Sequence, residues 1–235
     1  ARRVLAQLRH DHRTLALLIV VPCVLMSLLA WVFDGTPIFD HIGAPLLGIF
    51  PFVVMFLVTS VATLRERTSG TLERLLTMPI GKFDFLLGYA LAFGALAVVQ
   101  AGVVSGLALF ALNLDVAGPT WLLVTIAVLD AVLGMALGLF VSAFAATEFQ
   151  AVQFMPAIVL PQFLLCGLLV PRDQMNDILH GISDVLPLSY AVDAMRAVTA
   201  SATVQGAAWR DLGIVAGSIV LALSLGAATL RRRSD

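Results

Sequence analysis

The chain has 235 residues, 60% of them apolar and 12% charged, with a net charge of −1 at neutral pH. A water-soluble domain carries about a quarter charged residues, so this composition excludes an ordinary soluble enzyme. The positive charge sits beside long apolar runs, which indicates a membrane surface and no nucleic-acid partner.

Residues 1–13 are basic and mixed, and suit either a short interfacial helix or a frayed terminus. Six apolar stretches follow, near 14–33, 42–63, 84–112, 120–145, 151–170 and 209–230. Each approaches the roughly 20 residues that a bilayer-spanning helix needs. Backbone in lipid must satisfy its own hydrogen bonds, so such runs are helices, and strand alternation is absent. The fold expected is an all-α membrane protein, one transmembrane domain over 1–235. No cleavable signal peptide is expected, because the first apolar run lacks a small-residue cleavage site.

Between the spans the connections differ. Those at 34–41 and 113–119 are short and carry no lysine or arginine. Residues 146–150 form a tight turn with Thr147, Glu148 and Gln150. Residues 171–208 are too long for a turn and too polar for a span. They follow a run interrupted by Pro156 and Pro161, and predict a broken fifth span and short helices dipping into the far leaflet.

Basic residues orient the bundle. Arg2, Arg3, Arg9, Arg13, Arg65, Arg67, Arg74, Lys82, Arg231, Arg232 and Arg233 fall on one side of the alternating spans; Arg172, Arg196 and Arg210 fall on the other. Both termini are therefore expected in the cytoplasm. Lys82 is the only lysine among fourteen basic residues, a usage that points weakly to a high-GC bacterium and hence to a bacterial cytoplasmic membrane.

Within the spans, Gly102/Gly106, Gly134/Gly138 and Gly213/Gly217 each stand four apart, a spacing that lets helices pack closely inside the subunit. Asp130 lies mid-span and is expected to face the interior and either find a hydrogen-bond donor or be protonated. Asp193 and Arg196 are three apart and are expected to pair on a helix. Cys23 and Cys166 read as packing residues; the four histidines lie at or beyond the membrane edges, and no metal-ligand spacing appears.

The most informative segment is the polar island from Arg65 to Pro79 between two spans. Ser69 or Gly70 can start a short helix, Leu72, Leu75 and Leu76 share a face, and Met78-Pro79 ends it. An island so held at the water boundary is suited to docking another protein.

Here Arg65-Glu66-Arg67-x-x-Gly70-Thr71-Leu72-Glu73-x-Leu75-x-x-x-Pro79 resembles the coupling-helix segment of ABC type-2 permeases, the membrane subunits of ATP-driven exporters of the daunorubicin- and multidrug-resistance type. Pro187-x-x-Tyr190-x-x-Asp193-x-x-Arg196 resembles that family's segment before its last span. Pro156 through Pro171, with Phe163-Leu164-Leu165-Cys166-Gly167, resembles its fifth span. The matches fall in the family's order and cover nearly the whole chain.

The resemblance implies six spans, a cytoplasmic coupling helix between spans two and three, and external re-entrant helices between five and six. It implies contacts to ABC ATPase subunits through Arg65, Glu66, Arg67, Leu72, Glu73, Arg74, Leu75 and Leu76. It also implies a pathway along Phe52, Met55, Phe56, Phe154, Gln162, Phe163 and Leu164, whose aromatic and Met side chains suit a drug-like, antibiotic or lipid-like amphipathic substrate. Tyr190, Asp193, Arg196 and Asp130 are given structural roles. A second permease copy or homologue completes the assembly. The chain has no Gly-x-x-x-x-Gly-Lys-(Ser/Thr) phosphate loop. No cofactor is expected on it, and ATP and Mg belong to the partner. A secondary transporter or channel acting without ATPase subunits is the alternative; it predicts several intramembrane charges or an inverted repeat, and only Asp130 is central.

Overall fold

The structure is a computed structural model that describes residues 11–68, 82–203 and 206–229. Among these residues every regular element is helical. Most of the N-terminal basic stretch and the predicted coupling helix lie outside the described residues.

The order is α1 (His12–Val32), α2 (Ile38–Thr68), α3 (Lys82–Gly106), α4 (Thr120–Val141), α5 (Glu148–Leu165), α6 (Asp177–Ser183), α7 (Pro187–Ala200) and α8 (Gly206–Thr229). A π-helical turn, Leu107–Ala111, extends α3, and a 3₁₀ turn, Arg172–Gln174, precedes α6. Local chemistry sets the starts. Asp11 caps α1 by accepting from the Thr14 amide at 3.1 Å, Thr147 caps α5 by accepting from Gln150 at 3.2 Å, and Asn176 caps α6 by accepting from Ile178 at 3.0 Å. Pro187 occupies the first turn of α7, where its missing N–H costs nothing.

Five helices are long and apolar enough to cross a membrane: residues 14–32, 38–68, 87–111, 120–141 and 206–229. They fall on five of the six predicted spans, and α2 starts earlier and ends later than its apolar run. The helix α5 is not among the five. It has 18 residues and carries Glu148, Gln150, Gln153 and Gln162. The predicted break at its prolines is also absent, since α5 runs unbroken through Pro156 and Pro161. Both prolines lie on its exposed side, where loss of a backbone donor disturbs no neighbour. The helix ends at Leu165, two residues ahead of Gly167, whose φ of +90° only glycine adopts without strain. A side chain there would also press on Arg172 Cγ at 3.2 Å.

The core is the seam between α2 and α4. Gly134 and Gly138 bring the two backbones together: a Cβ on Gly134 would overlap the Phe52 carbonyl, and one on Gly138 would overlap Thr59 Oγ1. Thr59 Oγ1 donates to the Met55 carbonyl at 2.6 Å and to Met135 O of α4 at 3.3 Å. The other two glycine pairs correct the expectation of packing within the subunit. Gly102, Gly106, Gly213 and Gly217 have open space where a Cβ would stand. Sequence spacing is the same in all three pairs, but only α4 turns its small residues toward a neighbour.

Around this seam, α3, α7 and α8 cover α4, and α1 lies outermost, with 17% of its span buried against 67% for α4. Gln100 of α3 is fully buried and donates to the Leu18 carbonyl of α1 at 2.8 Å. The outer face of α1, with Leu17, Val24, Leu28 and Trp31, is exposed, as suits lipid contact.

Candidate functional site

At the end of the bundle that holds the start of α1, the last turn of α2 is tied to the turn between α4 and α5. The Arg65 guanidinium donates to both oxygens of Glu148, from Nε at 2.7 Å and from Nη2 at 2.9 Å. Arg67, two residues on, donates to the Ser142 carbonyl at the C-cap of α4. Glu66 is turned inward and is 9% exposed. Accepting from Arg65 holds the Glu148 carboxyl below its ordinary value of 4.5. The polar triplet that opens the predicted docking segment is thus a rigid continuation of a span. Leu72, Glu73, Arg74, Leu75 and Leu76 lie outside the described residues.

Beside this cluster an apolar groove of about 620 Å³ runs between α1, α2 and α3. Leu17 and Val21 form one wall, Val54 and Val58 the floor and Phe93 the other wall, while Asp11, Arg65 and Glu66 rim one end.

The predicted pathway residues divide into two groups. Phe52, Met55 and Phe56 of α2 are fully buried in the bundle, on the face that meets α4. On α5, Gln162 is buried, Phe154 and Phe163 are half-buried, and Leu164 is 53% exposed. Phe154 and Phe163 pack against the same hydrophobic core that holds Phe52, Met55 and Phe56.

Asp130 faces the interior as expected, 0% exposed, with Oδ2 only 2.8 Å from where a Cβ of Gly48 would sit. No donor meets it, since neither carboxylate oxygen has a hydrogen-bond partner among the described residues, and of the two expectations the protonated carboxyl remains. A charged carboxylate at such depth costs about 2.5–3.5 kcal/mol. The isosteric Asp130→Asn removes the charge and keeps the shape. We expect it to insert and melt like the parent, as measured by thermal unfolding in detergent. A clear fall in melting temperature would show that the carboxylate has a stabilising partner.

At the opposite end, Arg172 is the organising residue, and helical spacing did not single it out. Its side chain is 13% exposed and it donates to Asp184 through Nη2 and to Asp193 through Nη1. It lies over the Tyr190 ring, 5.2 Å from the centroid. Tyr190 in turn donates to the Asp184 carbonyl at 2.7 Å. This corrects the expected Asp193–Arg196 pair: Asp193 is taken by Arg172, and Arg196 donates to the Leu168 carbonyl at 3.3 Å. Burial raises the Asp193 carboxyl above its ordinary value, opposed by the hydrogen bond from Arg172. The signal available in the sequence was charge bookkeeping, since Arg172 is one of only three bases on that side. Among the described residues no cluster of three His, Cys, Asp or Glu side chains suits a metal.

A model of the family described as ABC-2 type transporter matches residues 1–199. The chain belongs to that family. With its apolar helices it is a multi-pass membrane component of an ABC transporter. It is similar to ABC transporter G family member 20 of Dictyostelium discoideum, 27% identical over 157 residues, which is 67% of this chain and 22% of that protein. It is also similar to the probable multidrug ABC transporter permease YbhR of Escherichia coli, 26% identical over 153 residues, 65% of this chain and 42% of the relative. With the permease YbhS of the same organism it shares 24% identity over 208 residues, 86% of this chain and 54% of the relative. This member of the family therefore spans from about a fifth to about half the length of these relatives.

Proposed function

We propose that the chain is the membrane subunit of an ATP-driven exporter that moves a small amphipathic, drug-like or lipid-like molecule out across a bacterial cytoplasmic membrane. The observation that carries this reading is the family match, extending over residues 65–79 and over the hairpin that α6 and α7 form. Similarity to permeases named as probable multidrug transporters supports the substrate class. ATP is hydrolysed on separate ATPase subunits docked at residues 65–79. A second copy, or a homologue, completes the pathway. Both termini lie in the cytoplasm and α6 and α7 outside.

In this reading α5 also crosses, fifth in chain order, and brings the crossings to six. Its 18 residues rise about 27 Å, nearly the ~30 Å hydrocarbon thickness, and the apolar residues 166–170 complete the crossing. The groove beside Arg65 and Glu66 offers an amphipathic molecule an apolar bed with a charged rim, and so serves as the entry.

Docking is tested by Glu73→Arg and Leu75→Asp. Reversing a charge in a desolvated contact leaves its partner facing a like charge, a cost of about 2–5 kcal/mol. Both variants should insert normally but lose co-purification with the ATPase subunit and stimulated ATP turnover. Parental values for both readouts would remove the docking assignment.

The pathway is placed at the exposed end of α5. Cysteine at position 163 or 164, with Cys23 and Cys166 replaced, is expected to cross-link across the interface of a homodimer. Phe163→Ala is expected to change the range of compounds exported while expression holds. No cross-link in any nucleotide state, together with an unchanged export profile, would place the pathway elsewhere.

A further inference from the structure

The three arginines that the spans leave at the hairpin end, Arg172, Arg196 and Arg210, all line one pocket of about 680 Å³. That size accommodates a headgroup-sized ligand. Asp173, Asp184 and Asp193 share the same wall. Three guanidinium groups thus face three carboxylates, and the pocket is formally neutral and strongly dipolar.

Internal pairing leaves two of these groups over. Arg172 spends both terminal nitrogens on Asp184 and Asp193. Arg210 turns its Nε and Nη2 to the neighbouring Asp211. Arg196 donates only to the Leu168 carbonyl and forms no ion pair among the described residues. Asp173 forms neither a hydrogen bond nor an ion pair among them, and is exposed. One guanidinium without an ion pair and one free carboxylate therefore line the same cavity. A guanidinium fork matches the oxygens of a phosphate, and a carboxylate matches an ammonium.

The surroundings independently point to lipid. Ile178, Ile182 and Val185 are exposed, spaced four and three apart along α6 and the turn after it, while His180 and Asp184 of the same segment line the pocket. An exposed apolar face beside a polar one is the pattern of a segment lying in the interface plane. Trp209, next to Arg210, is 53% exposed at the start of a span, the level where interfacial aromatics sit. The pocket mouth is thus at headgroup depth.

We propose that this pocket binds the ammonium–phosphate headgroup of a zwitterionic phospholipid, phosphatidylethanolamine in kind, from the leaflet at that end, with the phosphate on Arg196 and the ammonium on Asp173. The site needs only that the chain spans a bilayer. It does not depend on the direction of transport or on an ATPase partner.

The test uses the purified full chain in detergent. Binding of short-chain phosphatidylethanolamine, phosphatidylglycerol and phosphatidic acid is measured by native mass spectrometry. Phosphatidylethanolamine should bind about tenfold tighter than phosphatidylglycerol, the difference one charge-assisted hydrogen bond makes. Asp173→Asn should erase that preference and Arg196→Gln should weaken binding of all three lipids alike, whereas Asp34→Asn, at an exposed carboxylate outside the pocket, should change neither. Asp173 is an exposed side chain without internal bonds, so its variant tests the site even if Arg196→Gln folds poorly. Soluble glycerophosphoethanolamine should compete, which shows that the headgroup is read. Equal binding of all three lipids, a preference for the purely anionic ones that ignores Asp173→Asn, or no competition by the soluble headgroup would each overturn the proposal.

Discussion

Gly134→Leu is expected to abolish the folded subunit. The backbones of α2 and α4 are in contact at this point, and even a methyl group would overlap the Phe52 carbonyl oxygen. That oxygen is main chain, so nothing can rotate away, and the helices must separate. Forcing extra atoms into a packed core costs about 1–3 kcal/mol for modest insertions; leucine adds four carbons and should exceed that range. Gly138→Leu should behave alike, since its Cβ would overlap Thr59 Oγ1 and break the bond to Met135. The control is Gly213→Leu on α8, where no atom lies within 4 Å. It should fold as the parent does, and could gain the roughly 0.5–1 kcal/mol that glycine costs a helix. The measurements are yield of monodisperse protein from membranes and melting temperature. Parental behaviour of Gly134→Leu would mean that the α2–α4 seam is wrongly described.

Arg172→Ala should release the hairpin of α6 and α7 while the spans stay inserted. The substitution leaves Asp184 and Asp193 without their shared cation and removes the guanidinium from the Tyr190 ring. Breaking a buried pair costs about 3–5 kcal/mol. Asp184 is 50% exposed and Asp193 34% exposed, so water screens part of this, and about 2 kcal/mol is expected. Limited proteolysis from the hairpin side should cut residues 172–186 faster in the variant. Arg172→Lys keeps the charge but cannot span both carboxylates in one plane, so it should protect the hairpin only in part. Equal cutting of all three proteins would remove Arg172 from its organising role.

These two residues also mark what the sequence could show. The spans were legible because hydrocarbon admits only long apolar helices, and five of six emerged near their expected limits. The polar end of α2 was legible for the same reason, since Arg65 and Arg67 cannot enter lipid. Contacts between distant elements were not. Arg172 and Asp193 are 21 residues apart and meet because the chain folds back through α6 and α7. Helical spacing offered only the local Asp193–Arg196 pair. The Arg65–Glu148 pair joins residues 83 apart. Glycine spacing identified three candidate seams and could not tell which one another helix occupies. Nor does an aromatic side chain in a span declare whether it fills a core or lines a conduit. Phe52 and Phe56 fill the core of this subunit, while Phe163 and Leu164 keep partial exposure. Proline suggested a break in α5, but a proline facing away from the bundle is tolerated.

The α2–α4 seam has a mechanical consequence. A helix of 31 residues is a rod about 46 Å long. Gluing a second rod along its middle stiffens it far more than either helix alone. A load applied beyond Thr68 at one water boundary is then carried to the other with little loss, as by a lever. Pro45 and Pro51 remove two backbone donors from the half of the rod nearer Ile38, and Pro51 lies within the stretch from Gly48 to Thr59 that α4 braces.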